Sequence, residues 1–512
     1  MKKWIYFFIP LLLTSYGCLK KIMLIKRNEP NRPQIHFSPP AKWMNDPNGM
    51  VFYEGEYHLF YQYYPNGTVW GPMHWGHAIS QDLIHWQDLP IALYPDSLGY
   101  IFSGSAVIDW KNTSGLGKNG VPPMIAVYTY HDSVGEKAGK DDFQTQGLAY
   151  SLDKGRTWTK YSKNPILPNP HLRDFRDPKV IWSETYQKWI MILAVADHVN
   201  IYSSNNLLTW QFLSEFGKNH GSHEGIWECP DLFPMRVKGS NTEKWVMLVS
   251  VNNGSPNGGS GTQYFVGDFD GKSFHTNQNG VKWIDYGKDN YAGITWSDIP
   301  PKDGRRLFLG WLNNWQYAQE VPTEGWRSAM TLPRSLELEK IANDFWLKSR
   351  VVAEFNQLVI SDKTLINKVL KGNLAVETNQ NLPLEIILNF DTKTHAKRCG
   401  LMLSNDKGEK VLIGYNFEKQ YFYIDNQQNG WESPKKEFAK LITAPHQHKG
   451  DTLEMRLILD RTSVELFAAD DLIVMTNQFF PTKPFHKITL FSEEGSITLK
   501  KYNIKKLKSI WR

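Results

Sequence analysis

Short alternating runs of apolar and polar residues fill the chain from about residue 45 to 340, and they predict strands rather than helices. The runs at residues 50–53, 57–62, 124–128, 189–193, 245–249 and 307–311 are rich in aromatic and branched residues and bounded by turn formers. One phrase recurs between them. It reads Ser80-Gln81-Asp82-Leu83-Ile84-His85-Trp86, then Ser151-Leu152-Asp153-Lys154-Gly155-Arg156-Thr157-Trp158, with looser copies ending at Trp210 and Phe274. Asp, Asn and Gly supply the turn, and the closing ring packs the hairpin back onto its sheet. The closing aromatics at 86, 158, 210 and 274 lie about 63 residues apart on average, so residues 35–340 hold close to five such units. Four short strands per unit is the content of a propeller blade. From spacing alone, a β-sandwich of tandem hairpins stays open as the alternative.

The texture changes after Leu338. Residues 341–357 carry mixed charges and are expected to be a linker. From residue 358 to 512 the runs lengthen, as in 384–390 and 453–460, and turns such as Asn405-Asp406-Lys407-Gly408 separate them. This predicts an antiparallel β-sandwich behind the propeller. The expected fold is therefore all-β, a five-bladed β-propeller over 35–340 followed by a C-terminal β-sandwich. At the N-terminus, Lys2 and Lys3 precede an apolar run ending at Leu13, too short to span a bilayer of about 30 Å but suited to a signal peptide. Ser15 and Gly17 lead into Cys18, which resembles a lipoprotein cleavage site. Residues 1–17 are thus read as a signal peptide, Cys18 as a lipidation site and residues 18–34 as a basic tether. The expectation is an exported, membrane-anchored lipoprotein, periplasmic or on the cell surface, touching the membrane only through its acyl chains, with plain secretion as the alternative.

Composition narrows the function. With 41% hydrophobic and 21% charged residues the chain can bury a sizeable core, which excludes a disordered protein. A net charge of +6, part of it in the leader, gives no footprint for nucleic acid. Three cysteines exclude a disulfide framework. The 13% aromatic content, with 20 tryptophans, fits both packing and stacking on sugar rings.

Three acids stand in unusual settings. Asp46 lies in Trp43-Met44-Asn45-Asp46-Pro47-Asn48-Gly49, where Pro47 and Asn48-Gly49 shape a turn before a strand. Asp177 follows Arg176 in Phe175-Arg176-Asp177-Pro178, and the neighbouring cation is expected to keep it ionised. Glu228 sits between Trp227 and Cys229, and apolar neighbours are expected to push its carboxyl toward the range of a general acid. Each alone has a bland reading, since Asp-Pro pairs commonly just open turns. Three acids in separate blades of a Trp-rich propeller point to glycoside hydrolysis, which needs two carboxyl groups flanking the bond.

These motifs, in this order, resemble glycoside hydrolase family 32, the β-fructosidases. Residues 61–65, 70–77, Phe102-Ser103-Gly104-Ser105, 310–317, Glu228-Cys229-Pro230-Asp231 and, in the second domain, residues 460–467 extend the likeness over residues 35–510. The resemblance implies a retaining double displacement with Asp46 as nucleophile, Glu228 as acid/base and Asp177 as transition-state stabiliser held by Arg176. Asn45, Gln62, Trp70, Phe102, Ser103, Arg176 and Trp315 are the implied sugar-binding residues, with Trp43 and Trp227 also expected near the fructose. The implied substrate is a fructan (levan or inulin) or sucrose, cut at its terminal fructosyl unit. An endo-acting levanase, a fructosyltransferase and a non-catalytic fructan-binding protein are the alternatives. No cofactor or metal is expected, because His220-Gly221-Ser222-His223-Glu224 stands without a further Cys or His cluster. Cys229 is read as a small packing residue rather than a reactive thiol.

Overall fold

The computed structural model describes residues 27–377, 381–393 and 396–511. The signal peptide, Cys18 and the first part of the tether lie outside the described residues. Five four-stranded antiparallel units follow one another along the chain and close into a propeller. Their innermost strands are Lys42–Tyr53, Tyr100–Ile108, Phe175–Ser183, Trp227–Arg236 and Tyr291–Thr295. Each unit runs outward from there, and in the first four the recurring phrase forms the turn between the third and fourth strands. The chemistry of that turn is the same each time. Asp82 accepts from the Ile84 and His85 N–H groups, Asn206 from Leu208 and Thr209, and Asp270 from Lys272 and Ser273. Asp153 does likewise for Thr157. A side-chain carboxylate or amide satisfying turn N–H groups explains why Asp or Asn recurs at this point.

The fifth blade lacks the phrase because its outer hairpin is tight. Arg334–Ile341 returns directly as Asp344–Val351, paired from Arg334–Val351 to Ile341–Asp344. Residues 341–357, expected to be a linker, are therefore mostly blade: a strand to Val351, then the 3-10 helix Ala353–Leu358. An outermost strand has one solvated edge and face, so its mixed charges imitate a linker.

Neighbouring blades are stitched around the whole ring by hydrogen bonds near the axis. Asn48 accepts from Gly104 N–H, and Ser105 joins Pro178 C=O to Val180 N–H. Asp177 accepts from Cys229 N–H, and Asp231 accepts from Thr295 N–H and hydroxyl. Ser297 closes the circle, its N–H donating to Met50 C=O and its C=O accepting from Phe52. Motif positions such as Asn48, Ser105 and Asp231 thus hold the blades in register.

The C-terminal domain is a sandwich folded over two long paired strands, Val359–Glu377 and Lys487–Leu507. The first half of Lys487–Leu507 pairs Arg398–Ser404, its second half pairs Leu384–Asp391, and one apolar core fills the space between the layers. Ile458, Phe467, Val474 and Leu507 join Trp43, Leu309 and Trp311 in a core shared with the propeller. Beside it runs a buried ionic chain. Arg334 pairs with Asp285 at 3.0 Å and with Glu465 at 2.6 Å, and His36 sits between Asp460 at 2.8 Å and Glu465 at 3.1 Å. Residues 27–34, expected within a free tether, instead pack here. Asp460 accepts from Gln34 and Ile35 N–H groups, and the Arg27 guanidinium lies 3.9 Å over the Trp511 ring. Their basic and polar character serves burial against acidic and aromatic partners, which a charge count alone does not reveal. Among the described residues no helix is long and apolar enough to cross a membrane.

Candidate active site

All five innermost strands break register at the same end of the axis, and that is where the chemistry collects. The shifts fall between Met44 and Pro47, between Ile101 and Gly104, opposite Ile192 and Ala194, between Glu228 and Asp231, and between Tyr291 and Ile294. A bulge leaves residues unpaired and re-aims their side chains, here toward the axis. Asp177, Cys229 and Ala292 take φ of 66°, 46° and 52°, conformations that non-glycine residues adopt at a cost of about 1–3 kcal/mol each. Pro178 and Pro230 occupy unpaired positions of their bulges, where no ladder N–H is needed. Gly49, at φ +50°, is required by packing as well: a Cβ there would stand 2.7 Å from the Trp75 ring.

The bulges open onto a cavity of about 480 Å³. Asp46, Asp177 and Glu228 all line it, as do Asn45, Gln62, Trp70, Phe102, Ser103, Arg176 and Trp315. Its floor is closed, since the gap beneath, between Pro47, Gly104, Asp177 and Cys229, is only about 10 Å³.

Asp46 is held from both sides. Asn45 donates to Oδ1 and the Ser103 hydroxyl to Oδ2, each at 2.8 Å. Burial pushes its pKa up, the Glu228 charge adds to this, and the two donors oppose it. Asn45 is itself fixed by the Trp43 indole N–H at 2.7 Å. Asp177 accepts from Cys229 N–H at 3.0 Å. Burial pushes it up to about 7, with Arg176 opposing and the charges of Glu228 and Asp46 adding.

Arg176 does not hold Asp177 through a hydrogen bond, as expected from their adjacency. Successive residues of an extended strand point apart, and its guanidinium instead donates to Glu228 Oε1 at 3.0 and 3.2 Å and to Asp174 at 2.6 Å. Glu228 likewise lacks the purely apolar surroundings that Trp227 and Cys229 suggested. Its second oxygen accepts from the Tyr291 hydroxyl. That hydroxyl is held well above the ordinary tyrosine range by burial first and then by the Glu228 charge, so it stays a donor. Tyr291 is the residue that sequence reasoning missed. It opens the fifth innermost strand 63 residues after Glu228, the mean spacing of the repeat, and that spacing was the signal available.

The tryptophans separate into layers. Trp70 and Trp315 face the cavity, whereas Trp43 and Trp227 are fully buried behind it. Trp43 stacks on Trp315 with centroids 6.0 Å apart, and Trp227 packs against Phe265. Phe102 stacks on His131 at 4.2 Å. The Cys229 thiol lies 3.6 Å from Asp46 and 3.7 Å from Asp177, and burial followed by those charges pushes it well up, so it remains a neutral thiol. His223 is hydrogen-bonded to Asp197.

Two closely held carboxyl groups, one with hydrogen-bond donors fixed on both oxygens and one between a guanidinium and a phenol, can attack a glycosidic carbon and exchange a proton with its leaving oxygen. Comparison with known proteins agrees with that chemistry. The N-terminal domain model of glycosyl hydrolases family 32 matches residues 36–349, and the C-terminal model of the same family matches residues 354–506. The chain is 45% identical over 491 residues to a levanase of Bacillus subtilis (strain 168), covering 94% of this chain and 71% of that protein. It is 37% identical to an extracellular exo-inulinase of Aspergillus awamori, covering 94% and 96%. The crystal structure of exo-inulinase from Aspergillus awamori aligns with a TM-score of 0.87 at 36% identity, over 95% of this chain and all of that one.

Proposed function

The chain belongs to glycosyl hydrolase family 32, and we propose that it removes the terminal β-D-fructofuranosyl unit from levan, inulin or sucrose by a retaining double displacement. It is a glycosidase, similar to a levanase and to exo-inulinases. The observation that carries the residue assignment is the convergence of Asp46, Asp177 and Glu228 on one closed-floored cavity. A dead end beneath the acids suits a chain terminus better than the middle of a polymer.

In the first step Asp46 attacks the anomeric carbon, the bond to the leaving oxygen breaks, and Glu228 gives that oxygen its proton. Asp46 Oδ2 is occupied by the Ser103 hydroxyl and the Cys229 thiol, whereas Oδ1 meets only the Asn45 amide among neighbouring side chains and keeps a lone pair, so the carboxylate is both positioned and able to react. The Arg176 and Tyr291 donors then meet the carboxylate that Glu228 has become. In the second step Glu228 takes a proton from water, the water oxygen bonds to the anomeric carbon, and Asp46 leaves. Such acid/base participation contributes about 10²- to 10⁴-fold. Asp177 accepts or donates hydrogen bonds to fructosyl hydroxyls as positive charge develops on the ring, and Trp70 and Trp315 wall the pocket.

Export is part of the same proposal. The apolar run ending at Leu13 and the extracellular relative support it, and Cys18 would carry the anchoring acyl chains. A time course of product sizes on levan, inulin and sucrose tests the mode of action. Fructose alone from the earliest point is the expected result. A ladder of oligosaccharides would mean internal cleavage, and growing oligomers at high sucrose would mean transfer.

A further inference from the structure

The propeller has a second mouth. At the end of the axis opposite the acids lies another cavity of about 480 Å³, as large as the catalytic one. The same innermost strands reach both. Ser103 faces the first and Val107 and Ile108 the second, and Asp177 and Ile181, or Glu228 and Leu232, are divided in the same way. Four or five residues of strand place the two cavities roughly 15 Å apart. Only a gap of about 10 Å³ around Pro47, Gly104 and Cys229 lies between them, too small to pass a sugar, so the second is not an extension of the catalytic pocket.

Its walls have the chemistry of a sugar site. Four tryptophans line it, Trp110, Trp182, Trp189 and Trp245, drawn from three blades. Trp110 is 60% exposed, an unusual position for so large a ring, yet it is not loose. Its indole N–H donates to Asp298 at 2.8 Å, and its ring meets Tyr53 at 5.6 Å. An exposed ring fixed at its polar end is a pre-ordered platform, which lowers the cost of binding a ligand on its face. Trp182 is backed by Trp189 at 5.1 Å and has the Lys111 ammonium 4.5 Å over it.

The polar complement is also specific. Arg306 lines the cavity with its guanidinium over the Phe233 ring at 4.7 Å, and it makes no side-chain hydrogen bond or ion pair with any described residue. Five N–H donors in a fixed fork facing a cavity await acceptors. The charges there are mixed and near balance: Lys111 and Arg306 stand among Asp298, Glu184 and Glu243, while Lys179 is already paired with the buried Asp231 at 3.1 Å. Balanced charge gives an anion no advantage, whereas mixed donors and acceptors around aromatic faces match a neutral polyhydroxylated chain.

We infer that this far mouth is a non-catalytic binding site for a fructan segment, gripping the polymer on the face of the propeller opposite the cleavage site. The identity of the polymer rests on the function proposed above, while the site itself rests on the cavity. Holding a chain at a second point raises the local concentration of its ends around the catalytic pocket without any change in the chemistry. A short substrate gains nothing from it.

The test compares wild type with Trp110→Ala and Arg306→Gln, each checked for folding by circular dichroism. Turnover of sucrose, KM on long levan and inulin, and retardation in gels containing levan, inulin or dextran are measured for all three proteins. Both variants are expected to turn over sucrose within about twofold of wild type. Loss of one stacking or hydrogen-bonding contact predicts a rise of about 3- to 10-fold in polymer KM at unchanged kcat, and weaker retardation by fructan. Dextran is expected to retard none of them. Polymer KM and fructan retardation equal to wild type in both variants would overturn the inference, as would equal retardation by dextran. A wild-type protein that released no fructose from any of these substrates would instead contradict the function, and its retardation by fructan would still report on the site.

Discussion

Replacing His36 by glutamine keeps hydrogen-bonding capacity at the junction of propeller and sandwich but removes a charge. In the native protein His36 is enclosed between Asp460 and Glu465 with no exposed side-chain surface. Burial alone would push its pKa down, yet the hydrogen bonds and charges of the two acids raise it to about 9, from an ordinary 6.5. Glu465 moves the other way, to about 2, where burial is outweighed by Arg334 and His36. A raised histidine contributes stability that is fully present below about pH 6.5 and is lost as pH climbs through 9. A shift of this size is worth on the order of 3 kcal/mol. Glu465 contributes above its ordinary 4.5 and loses that contribution as pH falls toward 2, so the junction is strongest between about pH 4.5 and 6.5. Urea unfolding of the whole protein, followed at pH 6 and at pH 10, measures this directly. His36→Gln is expected to cost on the order of 3 kcal/mol at pH 6, and the gap to wild type should shrink markedly by pH 10. A gap of the same size at both pH values, or none at pH 6, would refute a charged His36 as the clasp between the domains.

Other expectations concern the cavity. Tyr291→Phe removes the hydroxyl that donates to Glu228 and should lower kcat by about 10- to 100-fold with little change in KM, read from initial rates on sucrose. Ser103→Ala removes a donor to ionised Asp46, whose pKa burial already raises. The acid limb of the activity profile should therefore move to higher pH, by about one unit, and an unmoved limb would mean that Asp46 does not set it.

Local chemistry was legible in the sequence, and convergence was not. The turn phrase ending at Trp86, Trp158, Trp210 and Phe274 could be read because an Asp or Asn side chain satisfying its own turn is a short-range device. The acids stood out because their bulges put prolines beside them, at Pro47, Pro178 and Pro230. Tyr291 carries no such neighbour, and its role exists only because the fifth innermost strand delivers it to Glu228. Arg176 shows the limit of adjacency: next to Asp177 in the chain, it turns to Glu228 in the next blade. Trp43 and Trp227 belong to the right motifs but alternate to the buried side, which motif membership does not report. The far cavity draws Trp110, Trp182 and Trp245 from three blades, so no stretch of sequence contains it.

The assignment of Asp46 as nucleophile and Glu228 as acid/base is tested most directly by fructose release from levan, inulin and sucrose, comparing wild type with Asp46→Asn and Glu228→Gln of verified fold. Both substitutions nearly preserve shape while removing the group that attacks or the proton that is passed. Each is expected to lose at least about 10³-fold in kcat on all three substrates. Either variant retaining release within tenfold of wild type on any of them would contradict the account.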